Sequence, residues 1–293
     1  RSSDLGGFTQ TFRRPGFEWD VGVHYVGQVG DPQSPGRLLF DRLTGGQLQW
    51  SQMPEVYDRV LLGERCYEFL AGEEHFCERM KCYFPDEAAA IDRYLAAVTK
   101  CARASEWYFA ERCLPPIVAG LLGCVARRPF WRYARLTTAQ ALGEFTRNRE
   151  LSGVLAGQWG CYGLPPGQSS FGIHAMLVQH YLDGGSYPRG GSSRIAATMV
   201  AAIERAGGAV VVCAEVARIL TDAGNCAAGV CMVDGREIRA KCVISDAGMA
   251  NTFHRLLPPE VSGVEALRRE LDTVPPSIGH LCLYAGLDRK SVV

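Results

Sequence analysis

The chain has 293 residues, 47% hydrophobic and 21% charged, with 31 basic side chains balanced by 31 acidic ones. That length supports two domains or one large core. A formal net charge of zero leaves no basic footprint for nucleic acid, and pairs such as Arg127-Arg128 and Arg268-Arg269 read as solvated faces. The chain holds 12 cysteines but no C-x-x-C pair, and the nearest neighbours, Cys77/Cys82 and Cys226/Cys231, are five apart. Zinc and thioredoxin-like motifs are thereby excluded; Cys213, Cys231 and Cys242 sit in apolar runs as small hydrophobes.

Residues 1 to about 30 are glycine-rich and strand-like. In "LGGFTQTF" the pair Gly6-Gly7 lets the backbone approach another group closely, although such a pair alone marks a turn. "FEWDVGVHYVG" alternates as a strand does. Phe17, Trp19, Val21, Val23 and Tyr25 share one face; Glu18, Asp20, Gly22, His24 and Val26 share the other. From about 55 to 160 the pattern is mostly helical. One helix opens at Pro85-Asp86-Glu87, with Ile91, Leu95, Val98 and Ala102 along an apolar face. "IVAGLLGCVA" (117–126) is half the length of a membrane span. It reads as a buried helix or, followed by Arg127-Arg128, as a peripheral membrane contact. No signal peptide or transmembrane stretch is read.

His174 and His180 are six apart, not the i, i+4 of a helical metal pair, so no metal site is expected. "GGSYPRGGSSR" (184–194) leads onto a helix start at Ser192 or Ser193. It is either an anion-binding helix N-terminus or a plain capped loop. The helix that follows carries Ile195, Met199 and Ile203 on one face and ends at Gly207-Gly208. Strand-like runs "AVVVC" and "EVARILTD", a hairpin turning at Asp234-Gly235 and an apolar strand at 242–245 come next. Helix, strand, hairpin, strand is how a doubly wound α/β sheet continues. An amphipathic stretch, "GVEALRRELDTV", lies beyond 260. Neither G-x-G-x-x-G nor G-x-S-x-G occurs. Two strand-rich blocks around a helical one suggest a discontinuous domain with another inserted into it.

"GGFTQTFRRPGFEWDVGVHYVG", "GQWGCYGLPPGQSSFGIHAMLVQHYLDGGSYPRGGSSRIA", "IERAGGAVVVCAEVARIL" and "VISDAGMANTFHRLLP" together resemble the retinol saturase (all-trans-retinol 13,14-reductase) family. That family lies within the flavoproteins that include carotenoid isomerases and phytoene desaturases. The resemblance implies an α/β fold: a discontinuous FAD/NAD(P)-binding Rossmann-like domain with an inserted, mostly helical substrate domain. On that reading 1–40 and 181–258 belong to the FAD-binding part, and 41–180 and 259–293 to the substrate part. It implies FAD as cofactor, NAD(P)H as hydride donor and a retinoid or carotenoid as lipophilic substrate. The implied activity is saturation of the 13,14 double bond of all-trans-retinol. A carotenoid cis–trans isomerase or desaturase, or a non-catalytic lipid-binding remnant, stands as the alternative.

By motif, the resemblance sets Gly6 and Gly7 against FAD, Gly22 and His24 beneath its ring with His24 as the catalytic candidate, and Arg189, Gly190 and Gly191 at its edge. Val216 falls on the adenine side, with Ser245, Asp246, Ala247 and Gly248 at the next strand end. Asp246 departs from the Asn usual there; a carboxylate donates no hydrogen bond. Without the nucleotide glycine motif, these residues alone are expected to bind FAD poorly. An internal membrane, of endoplasmic reticulum or plastid, is the implied location.

Overall fold

The computed structural model describes residues 5–276 and 278–286. Their contacts fall into two units, residues 8–207 with 278–286, and residues 5–7 with 208–276.

The larger unit opens with a hairpin of β1 (Thr11–Arg14) and β2 (Phe17–Asp20), pairing Phe12 with Trp19 and Arg13 with Glu18. The alternation is borne out over residues 17–20; Val21 to Tyr25, read as the same strand, form none. Phe12 and Phe17 stack on Trp19 at 5.4 and 5.5 Å, and Glu18 takes Thr11 and Arg13 on the other face. Helix α1 (Pro35–Thr44) starts where Ser34 Oγ accepts the Arg37 N–H and stops at Gly45, whose φ of 64° is left-handed. Strands β3 (Trp50–Gln52), β4 (Val56–Leu62) and β5 (Arg65–Leu70) follow, β4 and β5 as an antiparallel hairpin. That hairpin lies inside the stretch read as helical. Its alternating Tyr57, Tyr67 and Phe69 turn inward, and Gly63 makes the turn at φ 62°.

Helices α2 (Glu73–Tyr83), α3 (Ala88–Ala110), α4 (Pro116–Ala134), α5 (Thr138–Phe145), α6 (Arg149–Leu155) and α7 (Phe171–Tyr181) supply the body of this unit. Their starts are locally encoded: a capping box of Thr137 and Gln140 on α5, Asn148 on α6, Ser170 on α7. Pro85–Glu87 form a 3-10 turn, and Ile91, Leu95 and Val98 of α3 are buried as their spacing predicts. They pack with Tyr94, Leu151, Val154, Phe171 and the hairpin's three aromatics in one core. Burying each such side chain contributes roughly 1.5–3 kcal/mol. Strand β6 (Ser186–Pro188) pairs antiparallel with β3, and α8 (Ser193–Arg205) follows it. A second cluster of Val29, Leu48, Trp50 and Ile195 fixes α8. Gly207, φ 81°, lies just past the end of α8, as read.

The smaller unit is a meander of β7 (Val216–Thr221), β8 (Ala227–Met232) and β9 (Glu237–Arg239), turning at Asp234-Gly235 as the pattern predicts. Short α9 (Met249–Asn251) runs into a π turn at Thr252–Leu256, and α10 (Glu265–Asp272) follows. Ile219, Leu220, Met232 and Val261 are its buried apolar side chains.

Two expected strands are not formed. Residues 209–213 and 242–245 form no strand among the described residues, and Val211 is 67% and Ile244 92% exposed. An apolar strand of a parallel sheet needs a neighbouring strand to take up its N–H and C=O groups, and the described residues supply none there. All strand pairs among the described residues are antiparallel, so these residues build a mixed α/β fold without the doubly wound sheet.

Candidate functional site

The polar chemistry of the larger unit gathers where the segment after β2 crosses α7. Strand β2 ends at Asp20, whose carboxylate is engaged away from the hairpin. Oδ1 accepts the Ser192 N–H at 3.0 Å and faces Ser192 Oγ at 2.7 Å, and Oδ2 accepts from Tyr187 Oη. The serine-capped loop read from the sequence is not formed: Ser192 makes no side-chain cap, and the chain's own Asp20 carboxylate holds the positive end of α8 instead. Burial and the Asp20 charge raise the Tyr187 phenol, keeping it a donor.

Beyond Asp20 the backbone is fixed by close approach. Phe8 Cβ and carbonyl lie 3.0 Å from where a Gly22 side chain would begin, so the chain itself fills that gap. The Gly27 N–H donates to His180 Nε2 at 3.0 Å, and a Cβ on Gly27 would lie 1.9 Å from the His180 carbonyl. Tyr25 Oη donates to Asp58 Oδ2 at 2.8 Å, and Gln158 Nε2 donates to the same oxygen at 3.0 Å. Burial, then Asp58, push the Tyr25 phenol up, and the same causes raise Tyr57. Tyr181, packed on Tyr25 at 4.7 Å, is pushed up by burial to about 12. His24 is exposed, edge-on to Tyr25 at 4.7 Å, with Nε2 3.8 Å from Cys161 Sγ. Burial, followed by Asp58, raises the Cys161 thiol, so it is no thiolate nucleophile.

Cys161 and His180 also line an open groove of about 490 Å³, whose apolar wall is Ala102, Ile173, Met176 and Leu177. Tyr162 joins them there and reaches inward. Its Oη is 3.3 Å from His174 Nδ1, and Tyr94 Oη is 2.9 Å from Nε2. His174 is fully buried and burial lowers it to about 4, so the imidazole is neutral, donating on one side and accepting on the other. Burial lowers His180 as well. Gln28, Ser105, Gln179 and the carboxylate of Glu106 complete the lining, so the groove pairs one apolar wall with a polar rim. Among the described residues no three His, Cys, Asp or Glu side chains gather as metal ligands do.

The sequence-derived candidates divide between the two units. Gly22, His24, Arg189, Gly190 and Gly191 lie in the larger unit. There Arg189 Nε donates to Ser51 Oγ at 3.1 Å, and the two glycines have φ of 87° and 91°. Gly6, Gly7, Val216, Ser245, Asp246, Ala247 and Gly248 lie in the smaller one. Val216 opens β7; Ser245 Oγ meets Thr252 Oγ1 at 2.6 Å; Gly248 turns at φ 84° ahead of α9. Sequence reasoning missed Asp58, Gln158 and Tyr162. The available signal was the recurrence of polar and aromatic residues in "QWGCYG" and "HYVG" amid apolar neighbours.

No family model matches the chain. It is 37% identical to an all-trans-retinol 13,14-reductase of Danio rerio over 97% of its own length and 48% of that protein's. To the Homo sapiens protein of the same name it is 36% identical, over 95% and 47%. The chain thus spans about half the length of the curated relatives it matches. A partial match, 33% identical over 41% of the chain, falls on a lycopene-forming phytoene desaturase of a Paracoccus strain. Among solved structures, an oxidoreductase from Methanosarcina mazei shares the fold. Its TM-score is 0.56 at 18% identity, over 91% of this chain and 56% of that one. The resemblance drawn from the four motif stretches is thereby upheld along nearly the whole chain.

Proposed function

We propose that the protein is an FAD-dependent oxidoreductase that saturates a double bond of a conjugated polyene, most like the 13,14 bond of all-trans-retinol. The observation that carries this reading is the 37% identity to an all-trans-retinol 13,14-reductase across 97% of the chain. The groove supports it through its one apolar wall, Ala102, Ile173, Met176 and Leu177, faced by polar groups such as Tyr162 and His180 that would orient a ligand's hydroxyl end.

The residues fit FAD in part. Gly7 and Gly248 have positive φ and nothing within 4 Å of a side chain's place, leaving bare backbone for a ligand to approach. Gly6, Gly7, Val216 and the run Ser245, Asp246, Ala247 and Gly248 would hold the nucleotide end in a Rossmann-like domain. Asp246 there accepts ribose hydroxyls rather than approaching phosphate. His24, Arg189, Gly190 and Gly191 would border the ring, with contact through Arg189 and loop N–H groups, because Asp20 already occupies the start of α8 and Phe8 closes the space at Gly22. When bound, the flavin supplies the hydride, drawn from NAD(P)H, and the chain's part is to orient the polyene and exclude water. His24 holds the proton that completes the reduction. On this reading residues 1–40 and 181–258 serve FAD, residues 41–180 and 259–293 serve substrate, and the enzyme works at an internal membrane.

The test is anaerobic incubation of the FAD-loaded protein with all-trans-retinol and NADPH. The expected product is two mass units heavier, with its absorption shifted to shorter wavelength. Full flavin loading without that product, or conversion of a poly-cis carotenoid instead, overturns the reading. His24→Ala with unchanged flavin content and turnover removes His24 from it.

A further inference from the structure

Helix α4 carries 19 residues, about 28 Å of helix, and no described helix is long and apolar enough to cross a membrane. Its faces nonetheless differ sharply. At about 100° per residue, Gly123, Phe130, Tyr133 and Ala134 fall on one side. Gly123 and Phe130 are buried, and Tyr133 and Ala134 are packed against the core. Ile117, Val118, Val125, Arg128, Arg132 and Arg135 fall together on the opposite arc, all exposed. Ile117 is 80% and Val125 66% exposed, unusual for branched apolar side chains.

The chemistry changes along that arc, from apolar in the first half to basic in the second. Arg128, Arg132 and Arg135 have no salt bridge among the described residues, whereas Arg127, off the arc, is paired with buried Glu111. Trp131, with Arg135 stacked over it at 5.3 Å, sits among the arginines, and Trp107 near the end of α3 is 71% exposed. Aliphatic residues, unpaired arginines and exposed indoles on one helix face match the three layers of a bilayer surface: acyl chains, anionic headgroups and interface. In a chain whose formal net charge is zero, this basic run is local. A second copy is a poor occupant, because a two-fold contact through the stripe sets arginines against arginines or against the apolar half.

We propose that the exposed arc of α4, with Trp107 and Trp131, is a docking surface for an anionic lipid bilayer, on which the helix lies tilted with its apolar first half deeper than its arginines. The proposal rests on α4 and its surroundings, not on the reductase reading. It is tested by floating the protein with phosphatidylserine-rich and with pure phosphatidylcholine vesicles. Binding to the anionic vesicles alone is expected, weakening as salt is raised. Arg128→Gln with Arg132→Gln should lower partitioning about thirty-fold, at about fivefold per arginine near such a surface. Ile117→Asp with Val125→Asp should abolish it, and both double variants should keep the wild-type unfolding midpoint. Equal binding to both vesicle types, no binding, or binding untouched by the substitutions overturns the proposal. So does concentration-dependent self-association that the same substitutions abolish.

Discussion

Ile91, Tyr94, Leu151 and Phe171 of the larger unit are sealed from solvent, while Val211 and Ile244 of the smaller unit, no less apolar, stand in it. Local pattern is equally strong in both places. What differs is closure: α3, α6 and α7 each turn an apolar face onto the others, whereas the runs at 209–213 and 242–245 have no strand beside them among the described residues. An apolar run specifies a need for burial, and only tertiary partners meet it.

The contrast can be broken by measurement. The largest effect is expected in the helical unit at Arg127→Leu. Nε and Nη2 of Arg127 both donate to Glu111 at 2.7 Å, and the Glu111 side chain is almost wholly buried. Removing the cation takes both of these bonds from a buried carboxylate, at a cost of about 3–5 kcal/mol in urea unfolding. A loss below 1 kcal/mol would mean that water reaches Glu111.

The second effect is a pH slope. His174 takes up a proton at pH about 4 when folded, against an ordinary 6.5 when unfolded. Between those values the unfolded chain binds more protons, so stability is full above pH 6.5 and falls on acidification. The fall is about 1.4 kcal/mol per pH unit, roughly 3 kcal/mol by pH 4. His174→Gln should flatten that part of the curve; an unchanged slope would place it on other groups.

The smallest effect belongs to the smaller unit. Val211→Ser and Ile244→Ser should each shift stability by no more than about 0.5 kcal/mol, as exposed substitutions do. A loss above 1 kcal/mol would erase the contrast by showing these side chains packed.

Much of the fold was legible where the signal is local. The face of α3, the Asp234-Gly235 turn and the end of α8 at Gly207 all depend on residues within a few positions of each other. The β4–β5 hairpin was not legible, because its alternation is short and lies beside long helical stretches. Of the site candidates read from the sequence, His24 lies beside the groove's Cys161, and the groove's other contacts are long-range. Tyr25 meets Asp58 and Gln158 across 33 and 133 positions, and Tyr94 meets His174 across 80. Periodicity carries no information at such separations. Asp20 misled in another way: it alternates correctly with its strand, yet serves a helix 172 positions on.

The bond from the Gly27 N–H to His180 Nε2 has a consequence for spectroscopy. An imidazole nitrogen that accepts carries no proton, so the neutral ring is locked in the tautomer bearing hydrogen on Nδ1. The nitrogen chemical shifts of His180 therefore report whether residues 24–27 are seated. Exchange between tautomers would reveal their release in solution before any change in helix content could be seen.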